Sequence, residues 1–243
     1  MIRICADLES LSHAAAELFA AEALQAVQDR GRFTVALSGG STPRRTYELL
    51  AREPFGKTVP WQSTHIFWGD ERCVPENDPR NNALTARQTL LDHVPVPQKQ
   101  IHPMVCDRFP QQAAVAYEAL LRDFFPDGHP RFDLVLLGLG ANGHTASLFP
   151  GTAVLEEQQR WVAEVSVADE GLHRLTLTAA AINQAALVVF MVSGSDKAPI
   201  LRNVLKEAQD PHSIPAQLIK PVDGGLLWLV DRDAARLLRQ RKE

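Results

Sequence analysis

The chain has 243 residues, of which 45% are hydrophobic and 22% charged, and its formal net charge is −4. These proportions are ordinary for a globular enzyme and exclude a disordered or fibrous chain. The length suits one large domain, so we expect residues 1–243 to fold as a single domain. The chain lacks both a basic stripe and an apolar run of ~20 residues, so neither nucleic acid nor a membrane is an expected partner.

The cysteines are few and widely spaced. Cys5, Cys73 and Cys106 show no short paired spacing, which predicts reduced thiols and argues against a disulfide framework or a Cys-based zinc site. The segment MIRICADLES lacks the apolar core of a signal peptide. We therefore expect a cytoplasmic protein.

Predicted helices and strands alternate along the chain. After a short strand at 2–4, Ser10 or Ser12 is expected to cap an alanine-rich helix that Gly31 ends. Residues 69–82 are predicted to be a loop, and the basic cluster at the carboxyl end a solvated helix. The basic cluster consists of Arg236, Arg239, Arg241 and Lys242. Further strands are predicted at 33–37, 64–68, 132–137, 161–165, 174–178, 187–192 and 226–230. Further helices are predicted at 43–52, 83–92, 111–125, 179–184 and 197–208. This alternation favours a mostly parallel sheet covered on both faces.

One apolar run ends in glycines and a histidine, in the segment FDLVLLGLGANGHTASLFPG at 132–151. The run predicts a buried strand, the glycines allow a tight turn, and the residues after Gly143 can open a helix. His144 then stands at the carboxyl end of a strand, where open α/β sheets bind ligands. An imidazole there suits general-base chemistry. The alternative is a simple connection that carries a surface or capping histidine.

A second strand exit is typical of an anion-binding turn. The run FTVALSGGSTPRR places Gly39, Gly40, Ser41 and Thr42 before a helix predicted to begin at about Pro43, with Thr42 as its cap. The amides and the dipole at such a helix start favour phosphate. The pattern GxxxxGK[ST] is absent, so a small phosphate ester is a better candidate than a nucleotide. An ordinary capped turn is the alternative.

Charged side chains follow a third strand, in HIFWGDER, where Asp70, Glu71 and Arg72 are either solvated or part of a site. Two basic residues lie further along the chain, Arg174 in RLTLT and Lys197 after SGSD. A guanidinium and an ammonium group both suit a phosphate, although each residue is equally compatible with the surface. Strand exits of a parallel sheet commonly converge in one crevice, so we expect these groups to meet.

Together these segments resemble the 6-phosphogluconolactonases and, more broadly, the superfamily that they share with glucosamine-6-phosphate deaminases. The resemblance rests on LSGGSTP, GDER with NN after it, GLGANGHTASLFPG, RLTLT and GSDK, in this order. It implies an α/β fold of three α/β/α layers around a mostly parallel central sheet. It also implies metal-independent, cofactor-free hydrolysis of 6-phospho-D-glucono-1,5-lactone to 6-phosphogluconate, in the oxidative pentose phosphate pathway. A phosphorylated sugar lactone is then the small-molecule partner, and a monomer or weak homodimer is expected.

The resemblance also assigns roles. His144 matches the general base, and Asp70 and Arg72 match charged residues of the sugar site, so these three are the catalytic candidates. The substrate- and phosphate-binding candidates are Gly39, Gly40, Ser41, Thr42, Asn142, Arg174 and Lys197. No residue is assigned to a metal.

The chain departs from the family pattern at one position. The family commonly has aspartate before the Gly-His pair, whereas this chain has Asn142. An asparagine cannot ionise, so it cannot raise the basicity of His144, although it can orient the ring or bind a substrate hydroxyl. We therefore expect the ring of His144 to be positioned by another group.

The hypothesis for the reaction is that neutral His144 takes a proton from water as the water attacks the lactone carbonyl. Either Arg72 or backbone amides between Gly140 and Gly143 are expected to stabilise the oxyanion. The phosphate end would supply binding energy and orientation.

Four other functions are compatible with parts of the pattern. A glucosamine-6-phosphate deaminase needs acidic partners that are missing just after His144, and a dinucleotide-binding oxidoreductase rests only on the GxGxxG spacing of Gly138, Gly140 and Gly143. A non-catalytic sugar-phosphate sensor would explain Asn142. A metal-dependent hydrolase is weaker still, because the histidines show no close ligand spacing.

Overall fold

The computed structural model describes residues 1–107, 109–167 and 171–238. Within these ranges the chain forms strands and helices in alternation, as expected. The strands are β1 (Ile2–Cys5), β2 (Phe33–Leu37), β3 (Thr64–Trp68), β4 (Asp70–Arg72), β5 (Leu134–Leu137), β6 (Val162–Val167), β7 (Leu172–Leu177), β8 (Leu187–Val192) and β9 (Gly225–Asp231). The helices are α1 (Leu8–Arg30), α2 (Ser41–Leu50), α3 (Phe55–Thr58), α4 (Asn82–Thr89), α5 (Pro110–Phe124), α6 (Ala179–Ile182) and α7 (Ala198–Lys206).

Six strands form a parallel central sheet in the order β1-β9-β8-β5-β2-β3. Every residue of β2 and of β5 is buried, which is the burial of a parallel strand with both faces covered. Their continuous apolar composition follows from that burial, because neither face meets water. The prediction of an α/β fold with a mostly parallel central sheet is confirmed.

The first helix shows how local sequence sets its ends. Asp7, rather than Ser10 or Ser12, is the amino-terminal cap, since its carboxylate accepts a hydrogen bond from the amide of Ser10 at 2.8 Å. The predicted serine cap is therefore wrong by one turn. Gly31 ends the helix with φ of 73°, a conformation that favours glycine.

A second, antiparallel sheet joins β4, β7 and β6, and it was not predicted. Its strand β4 lies inside the segment 69–82, so the prediction of a continuous loop there is wrong. Three residues are too few to show a hydrophobic period, and β4 pairs with β7, about a hundred residues further along the chain. Gly69 links the two sheets, because its amide donates to Leu37 and its carbonyl accepts from Leu177, each at 2.8 Å.

Cys73 and Cys106 form a disulfide bond, with Cα atoms 5.2 Å apart. The prediction of reduced thiols is therefore wrong for this pair, while Cys5 is a buried free thiol. The two cysteines are separated by 33 positions, and only the fold brings the segment after β4 beside the segment before α5. Sequence spacing alone carries no sign of that proximity.

At the carboxyl end the chain forms a short 3-10 helix at Ala234–Leu237 that contains Arg236. Arg239, Arg241 and Lys242 of the predicted final helix lie outside the described residues. No helix in the described ranges is long and apolar enough to cross a membrane.

Candidate active site

The site lies where the direction of strand addition reverses. From β2 the chain adds β3 on one side of the sheet, and on the other side it adds β5, β8 and β9. The carboxyl ends of adjacent strands β2 and β5 therefore flank a crevice, which is where open α/β sheets bind ligands. A cavity of about 310 Å³ occupies this position. Among the residues that line it are Gly39, Gly40, Ser41, Thr42, Asp70, Arg72, His144, Arg174 and Lys197.

The turn after β2 forms one end of the cavity. Gly40 has φ of 107°, which favours glycine, and it occupies the cap position of α2 without any side-chain cap. The predicted cap at Thr42 and helix start at Pro43 are wrong, because the helix begins at Ser41. The first amides of a helix have no partner within it, and the helix dipole favours an anion there. The turn can therefore hold a phosphate group.

Tyr47 fixes the start of this turn, and sequence reasoning did not single it out. The amide of Ser38 donates to the Tyr47 hydroxyl at 3.0 Å, and that hydroxyl donates to the Ser38 carbonyl at 2.7 Å. Burial raises the pKa of Tyr47, so the phenol keeps its proton and can do both. One side chain of α2 thus anchors the strand end that precedes the anion-binding turn.

The turn after β5 presents His144. The amide of Gly140 donates to the His144 carbonyl at 2.8 Å, and the amide of Gly143 donates to the Gly140 carbonyl at 3.0 Å. No helix opens after Gly143, so that prediction is wrong: Gly143 has φ of 82° and Ala146 of 46°, which bend the chain away from a helical path. A Cβ on Gly140 would lie 2.1 Å from the His144 ring, so the ring occupies space that only glycine leaves.

Asn142 positions the His144 ring, contrary to the expectation that another group must do so. Its Oδ1 lies 3.2 Å from the His144 amide nitrogen and 2.6 Å from Nδ1 of the ring. Since a backbone amide can only donate, the shared atom is an oxygen, and the neutral ring must then carry its proton on Nδ1. Nε2 is therefore the basic nitrogen. Asn142 is not among the residues that line the cavity.

Phe149 lies between two site residues. The His144 ring stacks on Phe149 with centroids 4.3 Å apart and planes 25° apart, and the Arg174 guanidinium carbon lies 5.1 Å from the centroid of the same ring. Stacking and cation–π contact both stabilise such an arrangement. Buried Phe149 was not predicted as a site residue, although it stands in the HTASLFP segment.

Asp70 is buried and held from several sides. Its Oδ2 accepts a hydrogen bond from the Ser147 hydroxyl at 2.7 Å and lies 3.8 Å from Nη1 of Arg174. Both Asp70 and Arg174 are over nine-tenths buried, and a carboxylate at that depth needs such partners. Pairing of β4 with β7 places Arg174 opposite Arg72, two residues along β4 from Asp70 and therefore on the same face of the sheet as Asp70.

Arg72 and the backbone amides of the glycine turn are the two predicted sources of oxyanion donors. They differ in which of their N–H groups already donate a hydrogen bond. The amides of Gly140 and Gly143 are already used within the turn. Arg72 donates through Nη1 to the carbonyl of Arg80 at 2.6 Å, and its buried Nε has no hydrogen-bond partner within the described ranges. The guanidinium group is thus anchored at one nitrogen, and Arg72 also lines the cavity.

Glu71 is the buried neighbour of both charged residues of β4. Its carboxylate accepts hydrogen bonds at 2.8 Å from the amides of Arg72, Asn82 and Ala83, and so it caps the start of α4. Burial raises the pKa of Glu71 to about 7, against the effect of these three donors. The sequence showed Glu71 only as one charge among three.

Lys197 belongs to a turn that Asp231 organises. The turn follows β8 and ends in a 3-10 helix, Ser195–Lys197. The helix predicted to begin at Lys197 begins one residue later, as α7 at Ala198. Buried Asp231 accepts hydrogen bonds from the Ser193 hydroxyl at 2.5 Å and the Gly194 amide at 3.0 Å. Nζ of Lys197 lies 3.6 Å from a carboxylate oxygen of its neighbour Asp196.

The arrangement can bind an anion and move a proton. One cavity combines the helix-start amides of the β2 turn, the cation of Lys197 and the basic nitrogen of His144. In the described part of the chain, no group of three or more His, Cys, Asp and Glu side chains is placed to hold a metal ion.

Comparisons with known proteins agree with this geometry. Residues 6–228 match the family model of glucosamine-6-phosphate isomerases/6-phosphogluconolactonase. A 6-phosphogluconolactonase of Synechocystis sp. is 44% identical over 88% of each chain, and one of Nostoc sp. is 39% identical over 96% of each chain. The solved structure of 6-phosphogluconolactonase from Trypanosoma brucei superimposes with a TM-score of 0.86 at 28% identity, covering 98% of each chain. The chain belongs to the glucosamine-6-phosphate isomerase/6-phosphogluconolactonase family.

Proposed function

We propose that the protein is a 6-phosphogluconolactonase, which hydrolyses 6-phospho-D-glucono-1,5-lactone to 6-phosphogluconate in the oxidative pentose phosphate pathway. The observation that carries the proposal is the meeting, in one cavity, of an anion-binding helix start with a histidine whose Nε2 is basic. The curated relatives of 39–44% identity support the same activity. The reaction needs no cofactor, because the lactone carbonyl is already electrophilic.

His144 acts on water. Nε2 takes a proton from a water molecule as its oxygen bonds to the carbonyl carbon, and the carbonyl electrons move onto oxygen. Asn142 Oδ1 accepts a hydrogen bond from the Nδ1–H group throughout and holds the ring in the required tautomer. When the tetrahedral intermediate collapses, the bond from carbon to ring oxygen breaks, and His144 returns its proton to that oxygen. The product is the open-chain acid, and the enzyme is unchanged.

Arg72 stabilises the negative charge that develops on the carbonyl oxygen. Its guanidinium group is fixed by the Arg80 carbonyl and lines the cavity. Within the glycine turn the amides of Gly140 and Gly143 are already engaged, so the alternative donors there are the amides of Ala141 and Asn142. A preorganised donor of this kind contributes about 3 kcal/mol to transition-state stabilisation. Asp70 orients Arg174 and offsets one of the three positive charges that Arg72, Arg174 and Lys197 bring to the cavity wall.

The phosphate end lies at the turn after β2. The residues from Gly39 to Thr42 offer helix-start amides, and Lys197 brings positive charge. Arg174 lines the same cavity but lies beside Asp70 and Phe149. Binding of the phosphate at a distance from the reacting carbonyl orients the lactone against His144.

The other functions have less support. Deamination needs carboxylates near the histidine, but residues 145–149 contain none, and Asp70 is bound to Ser147. A dinucleotide fingerprint needs a helix that opens at the third glycine, but the next helical segment after Gly143 is the short 3-10 helix Ala153–Glu156. A sensor without catalysis would not need the Asn142–His144 hydrogen bond.

The test is hydrolysis of freshly generated 6-phosphogluconolactone, corrected for spontaneous opening, with and without EDTA. We expect turnover that EDTA leaves unchanged, and a loss of about 10²- to 10⁴-fold in kcat for His144→Ala, with little change in affinity for 6-phosphogluconate. Near-normal turnover in the variant would remove His144 from the reaction. Release of ammonia from glucosamine 6-phosphate would instead favour the deaminase.

We also propose a cytoplasmic location and a monomer or weak homodimer. Cell fractionation tests the location, and light scattering after size-exclusion chromatography tests the oligomeric state. A stable dimer at nanomolar concentration would contradict the second point.

A further inference from the structure

Asn82 connects the two ends of the cavity. Its side chain is buried and lines the cavity, and its Nδ2 donates to the backbone carbonyl of Asp70 at 2.9 Å. Its own backbone amide donates to Glu71 at 2.8 Å. Side chain and main chain of one residue are thus fixed to two successive residues of β4.

The other side of the Asn82 amide faces the anion-binding turn. A Cβ built on Gly39 would lie 1.9 Å from Oδ1 of Asn82, 2.5 Å from Cγ and 2.9 Å from Nδ2. All three terminal atoms of the side chain therefore lie against the Gly39 backbone. Gly39 does not have a positive φ, so its lack of a side chain serves this contact rather than a special backbone conformation.

We infer that Asn82 is a positioning residue that sets the distance between the anion-binding turn and Asp70. The amide group lies between Gly39, at the phosphate end, and β4, which carries Asp70 and Arg72 at the other end. It has the correct polarity for this place, because Nδ2 donates to a carbonyl, and the same nitrogen lies 3.5 Å from Oδ1 of Asp70. The inference rests on the proposed function for its substrate and adds a residue to it.

The chemistry predicts which substitution is most informative. Asn82→Asp keeps the shape but replaces the donor Nδ2 by a carboxylate oxygen, which then faces the Asp70 carbonyl and carboxylate. Because β4 is held by its pairing with β7, the repulsion displaces the turn and leaves Arg72 in place, and the new negative charge opposes a phosphate at Gly39. Binding of phosphorylated ligands should weaken, whereas the His144 turn, which Asn82 does not contact in any described hydrogen bond, should keep its geometry.

The experiment measures binding of 6-phosphogluconate and of inorganic phosphate by calorimetry, separately from turnover of the lactone. For Asn82→Asp we expect about tenfold weaker binding of 6-phosphogluconate and a matching rise in KM, with kcat within about threefold of the parent. Asn81→Ala is the matched control: Asn81 caps α4 by accepting from the Leu84 amide at 2.7 Å and does not line this cavity. It should lower the thermal midpoint and leave both affinities unchanged.

A pair of substitutions tests the contact itself. Gly39→Ala should weaken phosphate binding, and Asn82→Ala/Gly39→Ala should bind more tightly than Gly39→Ala alone, because the shorter side chain frees the space. Unchanged affinity in Asn82→Asp would overturn the inference, and so would a double variant no better than the additive loss. If the parent binds phosphate and responds to Asn82→Asp but hydrolyses no lactone, the proposed function fails and the inference stands.

Discussion

Nδ1 of His144 lies 2.6 Å from Oδ1 of Asn142, and the same oxygen accepts from the His144 amide. The neutral amide of Asn142 therefore orients the His144 ring as a carboxylate would, but it adds no charge beside the ring. The ring is ordered for catalysis, but its imidazolium form receives no ionic stabilisation from this neighbour.

Two substitutions of Asn142 separate its effect on the orientation of the His144 ring from the effect of a charge at this position. Asn142→Ala removes the acceptor, and we expect kcat to fall about tenfold or more because the ring loses its tautomer and direction. Asn142→Asp keeps an acceptor and adds a charge that favours the imidazolium, so the acid limb of the kcat profile should move to higher pH. Full pH–rate profiles of the parent and both variants provide the measurement. Identical profiles in parent and Asn142→Asp would contradict this account.

Lys197 is predicted to act through the phosphate. Lys197→Ala should raise KM for the phosphorylated lactone about tenfold or more and weaken binding of inorganic phosphate, with a smaller effect on kcat. Lys57→Ala is a suitable control, because Lys57 is an exposed lysine of α3 that does not line the cavity. Steady-state kinetics at several ionic strengths measure both. A fall in kcat alone would move Lys197 from the phosphate to the reacting centre.

Much of the site was predictable, because each strand exit is a local pattern. Gly40 before the helix start, His144 after a glycine turn and Lys197 after SGSD each stand within a few residues of an apolar run. Relations across the fold were not predictable. Strand β4 needs its partner β7 to be recognised, and the contact of Asn82 with Gly39 joins segments 43 positions apart in the numbering.

The wrong predictions have the same origin. Glycines after a strand are compatible with a helix after Gly143, but Ala146 has a positive φ, and its neighbours Thr145 and Ser147 are held by hydrogen bonds to Gly138 and Thr176. The Cys73–Cys106 bond likewise depends on two segments that meet only in the folded chain.

The disulfide bond should contribute measurably to the free energy of unfolding. A cross-link across 33 positions lowers the entropy of the unfolded chain, and Cys73→Ser/Cys106→Ser should lower the free energy of unfolding by about 3 kcal/mol. Denaturant unfolding of parent and variant measures this difference. When the cells are lysed in denaturant with an alkylating agent, to prevent later oxidation, only Cys5 should carry the alkyl group before reduction. Alkylation of all three cysteines in that sample would contradict the bond.

His65 should lower the free energy of unfolding in mild acid, whereas Glu71, whose pKa burial raises to about 7, should act in the opposite direction. Burial, with His102 and two nearby cationic side chains, lowers the pKa of His65 to about 4, and Nδ1 of His65 lies 3.2 Å from Nε2 of His102. The folded state therefore prefers a neutral ring, while the unfolded chain takes up a proton near the ordinary pKa of ~6.5. Between these two values the unfolded state binds more protons, so the free energy of unfolding falls as pH falls. The contribution of His65 to the slope should stay below about 1.4 kcal/mol per pH unit, because solvent screens a half-buried ring.

Two histidine substitutions test this origin of the acid sensitivity. In urea unfolding at pH 7 and pH 5, His65→Gln should lose less stability on acidification than the parent does, since glutamine does not titrate. His129→Gln, at an exposed position, should behave as the parent. Burial also lowers the pKa of His102, so part of the dependence should remain in His65→Gln. An equal loss in the parent and His65→Gln would place the acid sensitivity elsewhere in the molecule.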